Sequence, residues 1–164
     1  MILAMDLDGC IGKQNGLPWR LRSDMLRFKH LTVGEGNNAV LMGRTTWESL
    51  PSAYRPLPQR ANIVVTRNIE YSLHDVNVVN SIEDGIQLAR NNECDECWII
   101  GGANVYEQCR DIVEEIHLTS VETSNSGDVK VALFGKEWSR EVIESIPKDS
   151  ENEHPTTYMI LTKS

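Results

Sequence analysis

Short apolar runs alternate along this chain with longer stretches whose hydrophobic positions recur every three or four residues. Ile2 to Leu7 predicts a first strand, Ala39-Val40-Leu41-Met42 a short, wholly apolar one, and Asn62 to Thr66 and Val76 to Val79 two more; Cys97 to Ile100 and Glu115 to Val121 continue the series. Ser23 is expected to cap a helix reaching about Leu31, and a second helix follows Gly43. Ser81 should cap a third over Ile82 to Arg90, and a fourth follows Gly101-Gly102. Asp8 to Pro18 is a glycine-rich loop. Glu141 to Glu144 and Thr157 to Leu161 read as a closing hairpin with a long polar connection.

Apolar strands separated by helices belong to a sheet covered on both faces. The expected class is therefore α/β, a mixed and mainly parallel sheet with flanking helices and an antiparallel hairpin at one edge. No repeat, linker or break in composition divides the 164 residues, so 1–164 reads as one domain.

Charge and cysteines narrow the partners. Lys and Arg total 16 against 24 Asp and Glu, a net charge of −8, so nucleic acid is not expected as a partner. An anionic ligand would have to be held by a few placed arginines. Met1 to Met5 is apolar but lacks a basic lead-in and is cut short by Asp6, which is expected to face solvent. Such a run is too short for a signal peptide or a membrane span, and a soluble, cytoplasmic protein is expected. Cys94 and Cys97 have CxxC spacing, but no second ligand pair accompanies them, and Cys10 and Cys109 stand alone. Free thiols, and no metal, are expected.

Two strand–glycine–helix junctions carry candidate chemistry: Val40 to Trp47 and Trp98 to Tyr106. In each, glycine would let the backbone approach a ligand while the next helix offers unpaired N–H groups to a pyrophosphate. Either glycine alone could serve only a tight turn; two equivalent junctions give a dinucleotide equal standing. Neither is GxGxxG, which disfavours a standard Rossmann fold. Arg44 and Arg67 fall at the carboxyl ends of predicted strands, where guanidinium groups would suit a ribose 2′-phosphate and hence NADP(H). Asp24 shares a helix face with Leu21 and Phe28, amid Met25 and Leu26. It is either a second cap or a buried acid awaiting an amino-heterocycle, and with Ser23 as cap the second reading is preferred. Its pKa should then be raised. Leu17-Pro18-Trp19 closes a loop with Gly9, Gly12 and Gly16 that could act as a lid, and Trp19 could equally anchor the loop to the core.

In order and spacing these segments resemble the dihydrofolate reductases: Asp8 to Trp19, Asp24 to Lys29, Val40 to Leu50, Arg55 to Thr66 and Ile99 to Gln108, extended by His117 to Thr119 and Gly127-Asp128. The likeness covers nearly the whole chain and is weakest after Asp128. It implies an eight-stranded mixed sheet, an adenosine-binding subdomain over roughly 39–91, and reduction of dihydrofolate by NADPH; nothing in the sequence demands a partner, and a monomer is expected. Asp24 would bind the pterin and govern protonation at its N5, supported by the Thr119 hydroxyl and by a water held by Trp19. Ile2, Leu3, Ala4, Phe28, Leu50, Leu57 and Ile100 would line the substrate pocket, and Arg60 would pair with the glutamyl α-carboxylate. For the cofactor the resemblance implies Gly43, Arg44, Thr45, Thr46, Thr66 and Arg67 at the phosphates and adenosine. Gly101, Gly102, Ala103, Asn104, Val105 and Tyr106 would cradle the pyrophosphate and nicotinamide side, with Ala4, Ile11, Gly12, Leu17 and Ile100 also touching the cofactor. The family joins its two glycines by a cis peptide.

Some positions depart from the pattern. Arg22 replaces a frequent proline, Asn104 a frequent base, and Val129 to Phe134 the segment that normally props the mobile loop. A pyrimidine reductase of riboflavin synthesis and a noncatalytic NADP(H)-binding module are the alternatives. Asp24, Phe28 and Arg60 argue against the first, and Asp24 against the second.

Overall fold

The computed structural model describes residues 1–164. In chain order its elements are β1 (Ile2–Asp6), β2 (Cys10–Gly12), α1 (Arg22–Val33), β3 (Ala39–Gly43), α2 (Arg44–Ser49), β4 (Ala61–Val65) and β5 (Asn77–Val79). They continue with α3 (Ile82–Asn91), β6 (Cys97–Ile99), α4 (Ala103–Cys109), β7 (Glu115–Val121), β8 (Val129–Lys130), β9 (Trp138–Ile146) and β10 (Thr156–Lys163). A single 3₁₀ turn covers Ser52–Tyr54.

Contacts divide the chain into two units, Met1–Phe28 with Arg110–Ser164, and Lys29–Cys109. In the first, the strand order is β1-β7-β10-β9, with β1 parallel to β7 and the rest antiparallel. Ala4 lies opposite Thr119 in that register. In the second, β5-β4-β3-β6 are all parallel, as wholly apolar strands such as β3 require. The expected α/β class and C-terminal antiparallel strands are present. The pairing, however, groups the strands into two sets of four and one pair, β2 with β8, where one sheet of eight was expected. The 39–91 stretch falls inside the second unit.

Each unit has its own core. Ile116, Val121 and Leu161 are fully buried in the first, and Leu41, Met42, Ile63 and Val64 in the second, each contributing roughly 1.5–3 kcal/mol relative to exposure. Helix α3 starts where its sequence says: the Ser81 hydroxyl accepts a hydrogen bond from the Asp84 N–H at 3.0 Å. Gly85 then lets α3 lie close on β3, because a Cβ there would come within 2.5 Å of Leu41 Cδ1.

Three expectations are corrected. Ser23 is not the cap of α1, which begins one residue earlier. The cap comes from the β9–β10 connection: Asn152 Oδ1 accepts from the Ser23 N–H at 3.1 Å, its Nδ2 donates to Ser23 Oγ, and Glu151 O accepts from the Arg22 N–H. Met25 and Leu26, which the apolar reading of α1 placed around Asp24, are 51% and 55% exposed. Asp6 does not face solvent; at 1% exposure it binds the backbone N–H groups of Asp8, Cys10 and Ser126, each at 2.9 Å. The glycine-rich loop contains a tight turn. Lys13 and Gly16 exchange two backbone hydrogen bonds across Gln14 and Asn15, both at positive φ, a tight hairpin turn. The departing segment after Asp128 supplies β8, the partner of β2.

Candidate active site

In the first unit the chemistry centres on Asp24, in the first turn of α1. Thr119 Oγ1, on β7, donates to Asp24 Oδ1 at 2.5 Å, and Arg27, one turn further along α1, places Nη1 3.4 Å from the same oxygen. Both contacts fall on Oδ1, leaving Oδ2 without a protein hydrogen bond. Burial raises the Asp24 pKa above the ordinary carboxyl value, opposed by the Thr119 hydrogen bond and the Arg27 charge. The result is a carboxyl that holds its proton more firmly than a free one and keeps one oxygen available. Trp19 packs with Leu21, Val121 and Ala4, and its buried indole N–H has no acceptor on the protein. Ile2, Leu3 and Ala4 lie on β1 beside β7, Ile11 and Gly12 on β2, Leu17 is exposed on the following loop, and Phe28 is half-buried on α1.

The second unit brings the two glycine junctions together, because β3 and β6 are parallel neighbours and end side by side. The Gly43 N–H donates to Gly101 O at 2.8 Å. The Gly101–Gly102 peptide is cis, and Gly101 has φ +119°. A Cβ at Gly101 would stand 3.2 Å from the Tyr106 ring, at Gly102 3.1 Å from Thr46 Oγ1, and at Gly43 3.2 Å from Val105. Side chains would fit these strand ends only tightly, and at Gly101 only with backbone strain; the ends are followed by Arg44-Thr45-Thr46 and Ala103-Asn104-Val105. Val105 and Tyr106 are buried, and Asn104 is exposed and accepts a hydrogen bond from Gln108.

Arg44 begins α2, where Glu48 Oε1 accepts from its Nε at 2.8 Å and the Tyr71 ring lies 4.2 Å from the guanidinium carbon. Arg67 is exposed just past β4, after Thr66, whose N–H donates to Val79 O. Arg60 spends Nε on Pro58 O and Nη1 on the fully buried Thr32 hydroxyl, which fixes the guanidinium and leaves its remaining hydrogens for an acceptor. Leu57 is buried, Leu50 is half-buried, and Ile100 donates its N–H to Leu41 O beside the cradle.

The residues missed from sequence are Arg27, Glu144 and Tyr158. The i, i+3 spacing of Asp24 and Arg27 was a usable signal. Glu144 and Tyr158 come from β9 and β10, and nothing local announces them.

Two cysteines of the second unit are poor nucleophiles, since burial pushes the Cys97 and Cys109 thiols up to about 11. No group of three or more His, Cys, Asp or Glu side chains is placed to hold a metal. No helix is long and apolar enough to cross a membrane.

The α/β fold, with a buried acid in the first unit and two glycine junctions in the second, is that expected of an α/β reductase of the nicotinamide-dependent class. Comparison with known proteins narrows this. The family model for dihydrofolate reductase matches residues 1–163. The dihydrofolate reductase of Mycobacterium leprae is 40% identical over 141 residues, covering 84% of this chain and 82% of that protein. That of Bacillus subtilis is 34% identical, covering 99% and 92%. The solved dihydrofolate reductase from Enterococcus faecalis, complexed with NADP(H) and RAB-propyl, superposes with a TM-score of 0.83 at 28% identity, over 99% of this chain and 94% of that one. The chain belongs to the dihydrofolate reductase family.

Proposed function

We infer that this protein reduces 7,8-dihydrofolate to tetrahydrofolate with NADPH, and that Asp24 is the group that controls the proton. The observation that carries the reading is the Asp24 carboxyl itself, desolvated, anchored through Oδ1 by Thr119 and open at Oδ2. When bound, NADPH supplies a hydride to the pterin. The cradle of Gly43, Gly101 and Gly102 suits its pyrophosphate, since the main chain there is bare and an added Cβ would crowd Val105, Tyr106 or Thr46. Thr45, Thr46, Thr66, Arg44 and Arg67 would hold the phosphates and adenosine, and Ala103, Asn104, Val105 and Tyr106 the adjoining part.

Asp24 Oδ2 would accept hydrogen bonds from the amino-pyrimidine edge of the pterin, and its raised proton affinity suits it to governing protonation at N5. Thr119 holds the carboxyl in place. The orphan Trp19 N–H supports a role in binding the water that would carry that proton. Ile2, Leu3, Ala4, Phe28, Leu50, Leu57 and Ile100 would supply apolar walls, and the fixed Arg60 guanidinium a partner for the glutamyl α-carboxylate. Ile11, Gly12 and Leu17 would contact the cofactor from the loop. Four free thiols suit a reducing compartment, and a cytoplasmic monomer is part of the proposal.

The test is the fall in nicotinamide absorbance with dihydrofolate and NADPH. Turnover that Asp24→Asn abolishes near neutral pH supports the assignment; equal rates for variant and parent overturn it.

A further inference from the structure

The mechanism above uses Asp24 and Thr119 but leaves Arg27 unexplained. Its side chain is only 12% exposed, unusual for a cation on the first turns of a helix. Three groups hold it. Nη1 lies 3.4 Å from Asp24 Oδ1, Nη2 donates to Glu144 Oε2 at 2.7 Å, and its guanidinium carbon stands 4.2 Å from the centre of the Tyr158 ring. Tyr158 is fixed in turn: its hydroxyl is 2.6 Å from His117 Nδ1, and His117 Nε2 is 2.6 Å from Glu115 Oε1. His117 and Thr119 are two residues apart on β7, so this chain and the anchor of Asp24 share one face of the strand.

The geometry is asymmetric. The short bond of Arg27 is to Glu144, while its approach to Asp24 is long. Glu144 therefore draws the guanidinium away from the acid, and the Tyr158 face keeps it from swinging elsewhere. We propose that Arg27, held between Glu144 and Tyr158, is a positioning residue that sets how firmly Asp24 keeps its proton. The proposal rests on the reading of Asp24 given above. A fully engaged arginine would ionise the acid and empty it of the proton the reaction needs. An absent one would leave the acid neutral to higher pH. Glu144 holds the balance between these extremes, as a tether strong enough to compete and exposed enough to be changed without disturbing the core.

The groups facing Asp24 and Arg27 are few: Thr119, His117 and Glu115 from β7, Tyr158 from β10, and Glu144 from β9. Removing Arg27 takes away the cation that favours ionised Asp24, so Arg27→Met should move the Asp24 titration midpoint upward by about half a pH unit or more. Glu144→Gln should move it in the opposite direction. The substitution removes a nearby negative charge and frees Arg27 for Asp24, and both effects favour the carboxylate. Arg27→Lys keeps a charge without the forked geometry and should fall between Arg27→Met and the parent.

The measurement is carbon NMR of selectively labelled aspartate carboxyls in the protein alone, with Asp24→Asn identifying the resonance, beside pH profiles of dihydrofolate reduction at saturating NADPH. Opposite shifts for Arg27→Met and Glu144→Gln, seen in both the titration and the profile, support the proposal. Shifts in the same direction, or none in either, overturn it. If Arg27→Met does not fold, Glu144→Gln alone decides, because the proposal requires a downward midpoint. Failure of the parent to reduce dihydrofolate would instead sink the assignment of function while leaving the titration readable.

Discussion

The two units solve opposite problems in binding polar ligands. The first concentrates its chemistry in one side chain, Asp24, whose behaviour is set by burial and by two neighbours on Oδ1. The second has no such residue; its proposed cradle is made of what is missing, three glycine positions where a Cβ would crowd Tyr106, Thr46 or Val105. An acid can be tuned by small moves of charge around it. A main-chain cradle is set by backbone conformation and close packing, and Gly101, at φ +119°, is its least replaceable position. In a protein of net charge −8 the division is physically sensible. On the proposed reading a polyanion would meet backbone dipoles and a few guanidinium groups, while the acid that governs the proton is largely kept out of water.

Substitutions in each unit should separate the two modes. The largest effect belongs to Asp24→Asn, which should lower turnover near neutral pH by about 10²–10³-fold while leaving NADPH binding, read by quenching of tryptophan fluorescence, within about twofold. An equal loss of cofactor affinity would erase the contrast. Next comes Asp6, whose carboxylate binds backbone N–H groups. Burial would raise its pKa, but the N–H groups of Ser126, Cys10 and Asp8 outweigh this and hold it at about 2. Because the folded value lies below the unfolded one, near 3.8, Asp6 stabilises the fold fully above about pH 4. That contribution, about 2 kcal/mol, is lost as pH falls toward 2. Asp6→Asn should flatten this acid limb in urea titrations run between pH 2 and pH 5.

Gly101→Ala should weaken NADPH binding by about tenfold or more and spare dihydrofolate binding, since φ +119° is closed to alanine and the added methyl meets the Tyr106 ring. Arg44→Ala and Arg67→Ala should each cost about tenfold in kcat/KM for NADPH and little for NADH. The Arg44 effect is expected to be the smaller, because Glu48 already occupies its Nε. Smallest is Ser81→Ala, about 1 kcal/mol in thermal or chemical unfolding with unchanged kinetics, which checks that the second unit's role is in its cradle and not in its helix cap.

What could be read from the sequence follows from how far apart the interacting residues are. Ser81 and its partner Asp84 lie three apart, and the cap was legible. The cap of α1 was not, because Asn152 is 129 residues beyond Ser23. The apolar strands of the second unit were found nearly to the residue, since burial on both faces leaves a continuous hydrophobic run. Strand β8 was missed: two exposed residues have no period, and their pairing depends on β2. Asp6 was misread for the same reason as Ser23, since one of its three N–H partners, Ser126, is remote in sequence. The candidate site residues came from motif likeness. Charge, glycine placement and spacing alone offered Asp24, Arg44, Arg67, the two glycine junctions and the Trp19 loop as candidates but no geometry.

The helix that carries the acid is started by a residue from near the other end of the chain. The connection around Glu151-Asn152 therefore works as a latch, and its integrity can be sensed in catalysis. A protease nick between Lys148 and Glu153, or a bulky label attached there, should fray the first turn of α1 and blunt proton control before either sheet begins to melt.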